Sequence, residues 1–259
     1  MVKLLQIEWI KLRYYRSFWV LLSFFFVALL SINYFIYNLY RKKSAENVTT
    51  HSLFTFPQVW HTVTYISGFA FFIPALLIII LGTNEIVFRT YRQNIIDGLS
   101  RAQYINTKFV LILILSAVCT VLAVITVLVF GFSSKGVINF EGGTFVFYFY
   151  IQCVCYSSMA LLFAIVIKKT GMAIGSFVLY AWVLEKSVSG ILNSAFKYNV
   201  GNYLPLSSSD KLIPVPFGDT LNKLNEQPST MILFCVALIY LAAIYLLAYY
   251  KIQNEDIGN

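Results

Sequence analysis

Residues Ser17 to Tyr40 form a run of 24 without a formal charge, and about 20 such residues are enough for an α-helix to cross the hydrocarbon core of a bilayer. Comparable intervals recur along the chain. They predict spans over 17–40, 59–83, 109–132, 144–167, 170–192 and 231–250, which makes residues 1–259 a single transmembrane domain of six helices, an all-α integral membrane protein. Composition points the same way, because 59% of the residues are hydrophobic and only 12% are charged. The 23 Phe, 18 Tyr and 4 Trp suit rings that face lipid or sit at the headgroup boundary.

The joints between these runs carry their own signals. Residues 1–16 read as a loosely amphipathic interfacial helix, with Val2, Leu5, Trp9 and Leu12 on one face and Lys3 and Lys11 opposite. Ile7 and Arg13 break the pattern, and a plain extension of the first span is the competing reading. No small-x-small cleavage site follows the first span, so it is expected to stay attached. Pro74 falls inside the second run and predicts a kink there. From Asn193 to Ser229 the chain mixes Pro205, Pro214, Pro216 and Gly218 with apolar residues, which predicts an outer segment of short interfacial helices or a partly re-entrant cap before the last span.

The net charge is +8, but the basic residues are scattered in small groups beside apolar runs instead of forming a stripe, which argues for lipid headgroups and against nucleic acid. Basic residues outnumber on one side. With both termini in the cytoplasm the inner segments hold Lys3, Lys11, Arg13, Arg16, Arg89, Arg92, Arg101, Lys108, Lys168, Lys169 and Lys251, although Arg41-Lys42-Lys43 opposes this locally. No Gly-x-x-x-x-Gly-Lys-Ser/Thr loop is present, and His51 and His61 are not set as His-Glu-x-x-His, so neither an ATP-hydrolysing site nor a catalytic or metal site is expected. Cys119, Cys153, Cys155 and Cys235 all lie in apolar runs and read as buried small side chains. Two residues apart on a helix, Cys153 and Cys155 diverge by roughly 200° and cannot share one metal. Gly171-x-x-x-Gly175 is a weak pointer to a close helix contact. Glu185 and Lys186, toward the far end of the fifth span, read either as a gate or substrate contact, with Glu185 facing the bundle, or as a boundary pair in which Lys186 snorkels outward and Glu185 finds a basic loop residue. Polar residues of the spans such as Asn33, Ser67 and Gln152 stand isolated, and no cluster at one depth is expected.

Between the second and third spans the chain reads Gly82 to Lys108. Gly98 suits a helix C-terminal cap, and Ser100 with Gln103 has the spacing of a capping box for the helix that leads into the third span. The short helix before Gly98 presents Ile95 and Ile96, helped by Leu99, among Arg92, Gln93, Asp97 and Arg101. An apolar knob rimmed by charge is what a docking element needs; packing against its own bundle is the equal alternative.

Here the chain resembles the permease subunits of ABC exporters of the second type, a family of drug, sodium, peptide-antibiotic and lipid-linked polysaccharide exporters. The architecture of a lead-in helix, six spans and a Pro-containing outer segment carries the resemblance over nearly the whole length. Locally, Glu85, Thr90-Tyr91-Arg92, Ser100-Arg101 and Lys108 match in order the Glu, Thr-x-Arg, Ser-Arg and Lys often seen after the second span in that family. The family usually has proline just before the Ser-Arg, where this chain has Gly98-Leu99. The resemblance implies a multi-pass subunit of the bacterial cytoplasmic membrane that pairs with a second copy or a paralogue. It also implies a separate ATPase subunit, which alone binds ATP and magnesium and which docks on a coupling helix formed by Arg92, Ile95, Ile96, Asp97 and Arg101. A non-transporting immunity or sensing subunit that recruits an ATPase is the alternative. The apolar, Tyr-containing spans permit an amphipathic or lipidic cargo without naming one.

Overall fold

The computed structural model describes residues 2–44, 53–133, 139–196, 199–216 and 228–254. Every regular element among them is helical. A lead-in helix α1 (Val2–Tyr14) turns directly into α2 (Arg16–Ser44), followed by α3 (Gln58–Gly68), α4 (Phe72–Val87) and the short α5 (Thr90–Ile96). Then come α6 (Arg101–Ser133), α7 (Thr144–Ile167), α8 (Thr170–Val178), a π-helical segment (Leu179–Leu184) and α9 (Glu185–Ala195). A 3₁₀ turn (Val200–Tyr203), α10 (Pro205–Asp210) and α11 (Thr230–Gln253) complete the order.

Four of these helices, α2, α6, α7 and α11, are long and apolar enough to cross a membrane, and α3 with α4 supplies a fifth if the bent pair is one span. The surface they leave outside is apolar: Phe24, Val27, Phe35, Ile125, Leu238, Ile239 and Leu246 are all exposed. Faces of this kind find their solvent in hydrocarbon. The chain is therefore a helical membrane protein.

α7 occupies the centre and touches α3, α4, α6, α8, α10 and α11. Its residues from Ile151 to Leu161 are buried on every side, and apart from Gln152 and Tyr156 the sequence there is apolar or small on all faces. Against α4 the approach is close: a Cβ on Gly82 would lie 3.1 Å from the Cβ of Ala164. Small residues at a crossing let two backbones come together where no hydrophobic drive separates protein from lipid.

The predicted kink is present, displaced from the proline itself. α3 and α4 meet at 45°, across Phe69, Ala70 and Phe71, where the amides of Phe69, Ala70, Phe71 and Ile73 each bond the carbonyl three residues back. Pro74 falls in the first turn of α4, where amides have no intrahelical acceptor and its missing N–H costs nothing. The run expected at 170–192 is one continuous helical path from Thr170 to Ala195, but the π-helical turn at Leu179–Leu184 divides it. Gly171 and Gly175 face open space, and a Cβ on either meets nothing within 4 Å, so the small-residue spacing there joins no helices within this chain.

α1 shares its expected apolar face between the bundle and the exterior. Glu8 and Leu12 are buried while Trp9 is 52% exposed, because the bundle offers α1 a charged partner and not only an apolar one. Val2, Lys3 and Leu5 have side chains outside the described residues. Among the cysteines, Cys119, Cys153 and Cys155 are buried, but Cys235 is exposed on α11, where lipid and not protein covers an apolar side chain. Cys153 meets Cys119 on α6 and Cys155 meets Ser209 on α10, on opposite sides of α7.

Candidate functional site

Two polar assemblies interrupt the apolar bundle, one at each end. The proximal end is where α1, α5, the start of α6 and the end of α11 meet. There Lys108, only 3% exposed, donates to Glu8 Oε2 at 2.9 Å and to Glu85 Oε1 at 2.7 Å. Lys11 completes the arrangement with Glu8 at 3.2 Å and Glu85 at 3.4 Å, and the Tyr104 hydroxyl donates to Glu85 Oε2 at 2.9 Å. Two ammonium groups and two carboxylates cancel, so charges that would be costly singly are retained as a set. Burial opposes the charge on Lys11, but Glu85 and Glu8 outweigh it and hold its pKa above the ordinary value. The clamp fastens α1, α4 and α6 together.

α5 stands on this base. Arg89 adopts a left-handed conformation, φ +58°, which turns the chain out of α4. The helix ends in a Schellman motif: Leu99 N–H bonds Asn94 O and Gly98 N–H bonds Ile95 O, both at 3.0 Å, with Gly98 at φ +98° as the motif requires. The capping box follows as expected, Gln103 N–H to Ser100 Oγ at 3.2 Å and Ser100 N–H to Gln103 Oε1 at 3.0 Å.

The expected docking residues divide between two directions. Ile96 is 72% exposed, and Phe88, 71% exposed, stands with it as exposed apolar surface. Asp97 is exposed and accepts from Gln93 Nε2 at 3.0 Å. Ile95 and Leu99 instead pack against the core, so the exposed knob is Ile96 with Phe88, and not the Ile95, Ile96 and Leu99 set read from the pattern. The backbone of Arg92 lies in α5, its side chain outside the described residues. Arg101 turns inward: its guanidinium donates to the carbonyls of Ile252, at 3.2 Å, and of Gln253. A fixed cation there neutralises the negative end of the α11 dipole.

The distal assembly was hidden in the sequence. Asp210, at the end of α10, accepts from Gln152 Nε2 at 2.8 Å and from the Tyr156 hydroxyl at 3.0 and 3.2 Å, and pairs with Lys186. Glu185, 3% exposed, does not pair with its neighbour. Its Oε1 takes the amides of Leu206 at 2.7 Å and Ser207 at 2.6 Å, capping the first turn of α10. Beside these groups lies a cavity of about 350 Å³ walled by Tyr65, Phe69, Phe72 and Trp182, with Gln152, Lys186, Asp210 and Lys211 at its polar side. Burial first, and then Lys186, lower the pKa of Lys211, against the pull of Asp210. Asn33 and Ser67, expected to stand alone, bond each other at 3.2 Å. His61 stacks on Phe145 at 4.1 Å and bonds the Pro214 carbonyl at 2.7 Å; His51 lies outside the described residues. No group of three His, Cys, Asp or Glu side chains converges as metal donors among the described residues.

No protein-family model and no curated protein matches this sequence. What the two assemblies can do must follow from their chemistry. The proximal one offers a rigid mount for a small exposed element, and the distal one offers a mixed polar and aromatic chamber. Glu8 escaped the sequence reading because one acid in a basic helix reads as solvated; its spacing of three from Lys11 was the available signal. Gln152, Tyr156, Lys186 and Asp210 come from three separated segments, and no local pattern joins them.

Proposed function

We propose that the chain is the membrane-spanning permease subunit of an ATP-driven exporter, with the path for cargo in its helices and the ATPase on a separate subunit. What carries this reading is the placement of α5: a seven-residue helix set between the clamped α4 and α6 and closed by a Schellman turn, with Ile96 and Phe88 exposed and apolar beside Asp97. Exposed apolar side chains on a stiff, capped turn suit a protein partner, since hydrophobic anchors rimmed by polar groups carry most interface energy. Within this reading Ile96, Phe88 and Asp97 face the motor. Arg101 and Ile95 mount the element on the bundle.

The reading takes the path from Thr170 to Ala195 as a further crossing. Its 26 residues rise about 39 Å, more than the roughly 30 Å of hydrocarbon, giving six spans with both termini in the cytoplasm of a bacterial cell. The chain brings no catalytic group of its own, and ATP and magnesium act through the partner. A second copy or a paralogue completes the transporter.

Ile96→Asp tests this. The variant is expected to insert and to unfold at the wild-type temperature, because the side chain is exposed, while binding of the co-expressed ATPase and transport by reconstituted vesicles fall more than about tenfold. Full ATPase binding with undiminished transport would defeat the proposal. The distal chamber favours one other reading, a non-transporting subunit that binds an amphipathic molecule and recruits an ATPase; vesicles separate the two, since only a transporter moves label across the bilayer.

A further inference from the structure

We infer that the distal cavity is a binding site for an anionic amphiphile, a molecule with a phosphate and a hydroxyl on its head and an alkyl tail. The inference stands apart from the motor reading, since it concerns the opposite end of the bundle.

The polar side of the cavity has donors to spare and one acceptor to satisfy. Asp210 is saturated by Gln152, Tyr156 and Lys186, and Glu185, whose Oε1 takes the amides of α10, does not line the cavity. The unspent donors therefore belong to the ammonium groups of Lys186 and Lys211, two cations lining the cavity against one carboxylate. An incoming phosphate fits both by charge and by hydrogen-bond count. Gln152 makes the converse demand. It is 6% exposed, its Nε2 is committed to Asp210, and its buried Oε1 has no partner. A ligand hydroxyl relieves that orphaned acceptor.

The other walls argue for a tail. Tyr65, Phe72 and the 3₁₀ break at Phe69 provide aromatic surface, and Phe69 and Trp182 are each 55% exposed, on the same apolar exterior that lipid covers. Such a rim admits an alkyl chain from the bilayer while the head meets the lysines. About 350 Å³ holds a glycerol phosphate head and the first few methylenes, within the range of small-molecule sites. A free phosphate ion would leave the aromatic walls without a role, and a zwitterionic head would bring its own cation against Lys211.

Native mass spectrometry of the full chain in detergent, with dioctanoyl phosphatidylglycerol, dioctanoyl phosphatidylcholine or free glycerol phosphate added, tests the inference. Saturable binding of phosphatidylglycerol is expected, at least about tenfold tighter than either other probe. Lys211→Gln and Trp182→Ala are each expected to weaken it about tenfold or more, Lys211→Arg to retain it, and Lys251→Gln, at the proximal end, to leave it unchanged. Equal affinity for phosphatidylcholine, equal affinity for free glycerol phosphate, or undiminished binding by a Lys211→Gln variant that unfolds at the wild-type temperature would each overturn it.

Discussion

Lys108 reaches the two carboxylates of the proximal clamp from inside the bundle, and its own burial makes it indispensable there. Lys108→Met leaves Glu8 and Glu85 sharing only Lys11. A loss of about 3–5 kcal/mol is expected, read as a lower unfolding midpoint in detergent, with Glu8→Gln added to recover part of it. Lys11 contributes in a pH-dependent way. Its pKa is raised on folding, so its stabilisation is complete below the ordinary value of 10.5 and disappears as pH climbs through the higher folded value. Unfolding midpoints compared at pH 9 and pH 12 are expected to fall further for the wild type than for Lys11→Gln. The clamp was not readable in advance: Glu85 and Lys108 stood out only as members of an ordered set of residues after the second span, with no sign that they pair. Glu8 and Tyr104 did not stand out, since nothing short of the packing of α1 on α6 brings them together.

At the scale of elements, features with short reach were legible and features set by neighbours were not. The Schellman turn at Gly98 and the capping box at Ser100 and Gln103 depend on bonds no more than five residues long, and both were present in the pattern. Which of Ile95, Ile96 and Leu99 turns outward depends on the neighbours that arrive, and the pattern left docking and packing on the bundle equally open. A Cβ at Gly98 meets nothing within 4 Å, so Gly98→Ala tests backbone conformation alone. Its left-handed φ makes a cost of about 1–2 kcal/mol expected, seen as faster hydrogen exchange at the Gly98 and Leu99 amides with the α7 amides unchanged. The π-helical turn after Val178 has no signature in an apolar run, since periodicity there carries no polar face to mark the extra residue.

For the whole molecule, the charge-free runs located the long helices well: α7 spans Thr144 to Ile167, the predicted limits, and α2 and α11 differ from theirs by a few residues at the ends. Their arrangement was not legible. α7 and α11 are both apolar all round, yet α7 is the buried axis and α11 lies at the periphery, a distinction made by small residues and by which partners arrive. The distal chamber is likewise a property of assembly, since α7, the helical path beyond Lys169 and α10 must all be in place before Asp210 meets its donors. The proposed orientation predicts that Ile96→Cys is labelled by a membrane-impermeant maleimide from the cytoplasmic side and Phe140→Cys from the outside, in intact cells compared with inverted vesicles. Labelling of both from one side would exclude an odd number of crossings between them.

Arg101 begins α6 while its guanidinium grips the final carbonyls of α11. The first helix beyond the α5 elbow and the last long helix are therefore yoked at their feet. A protein that tilts the elbow pulls on the two together, so one small handle can steer helices 151 positions apart in the chain.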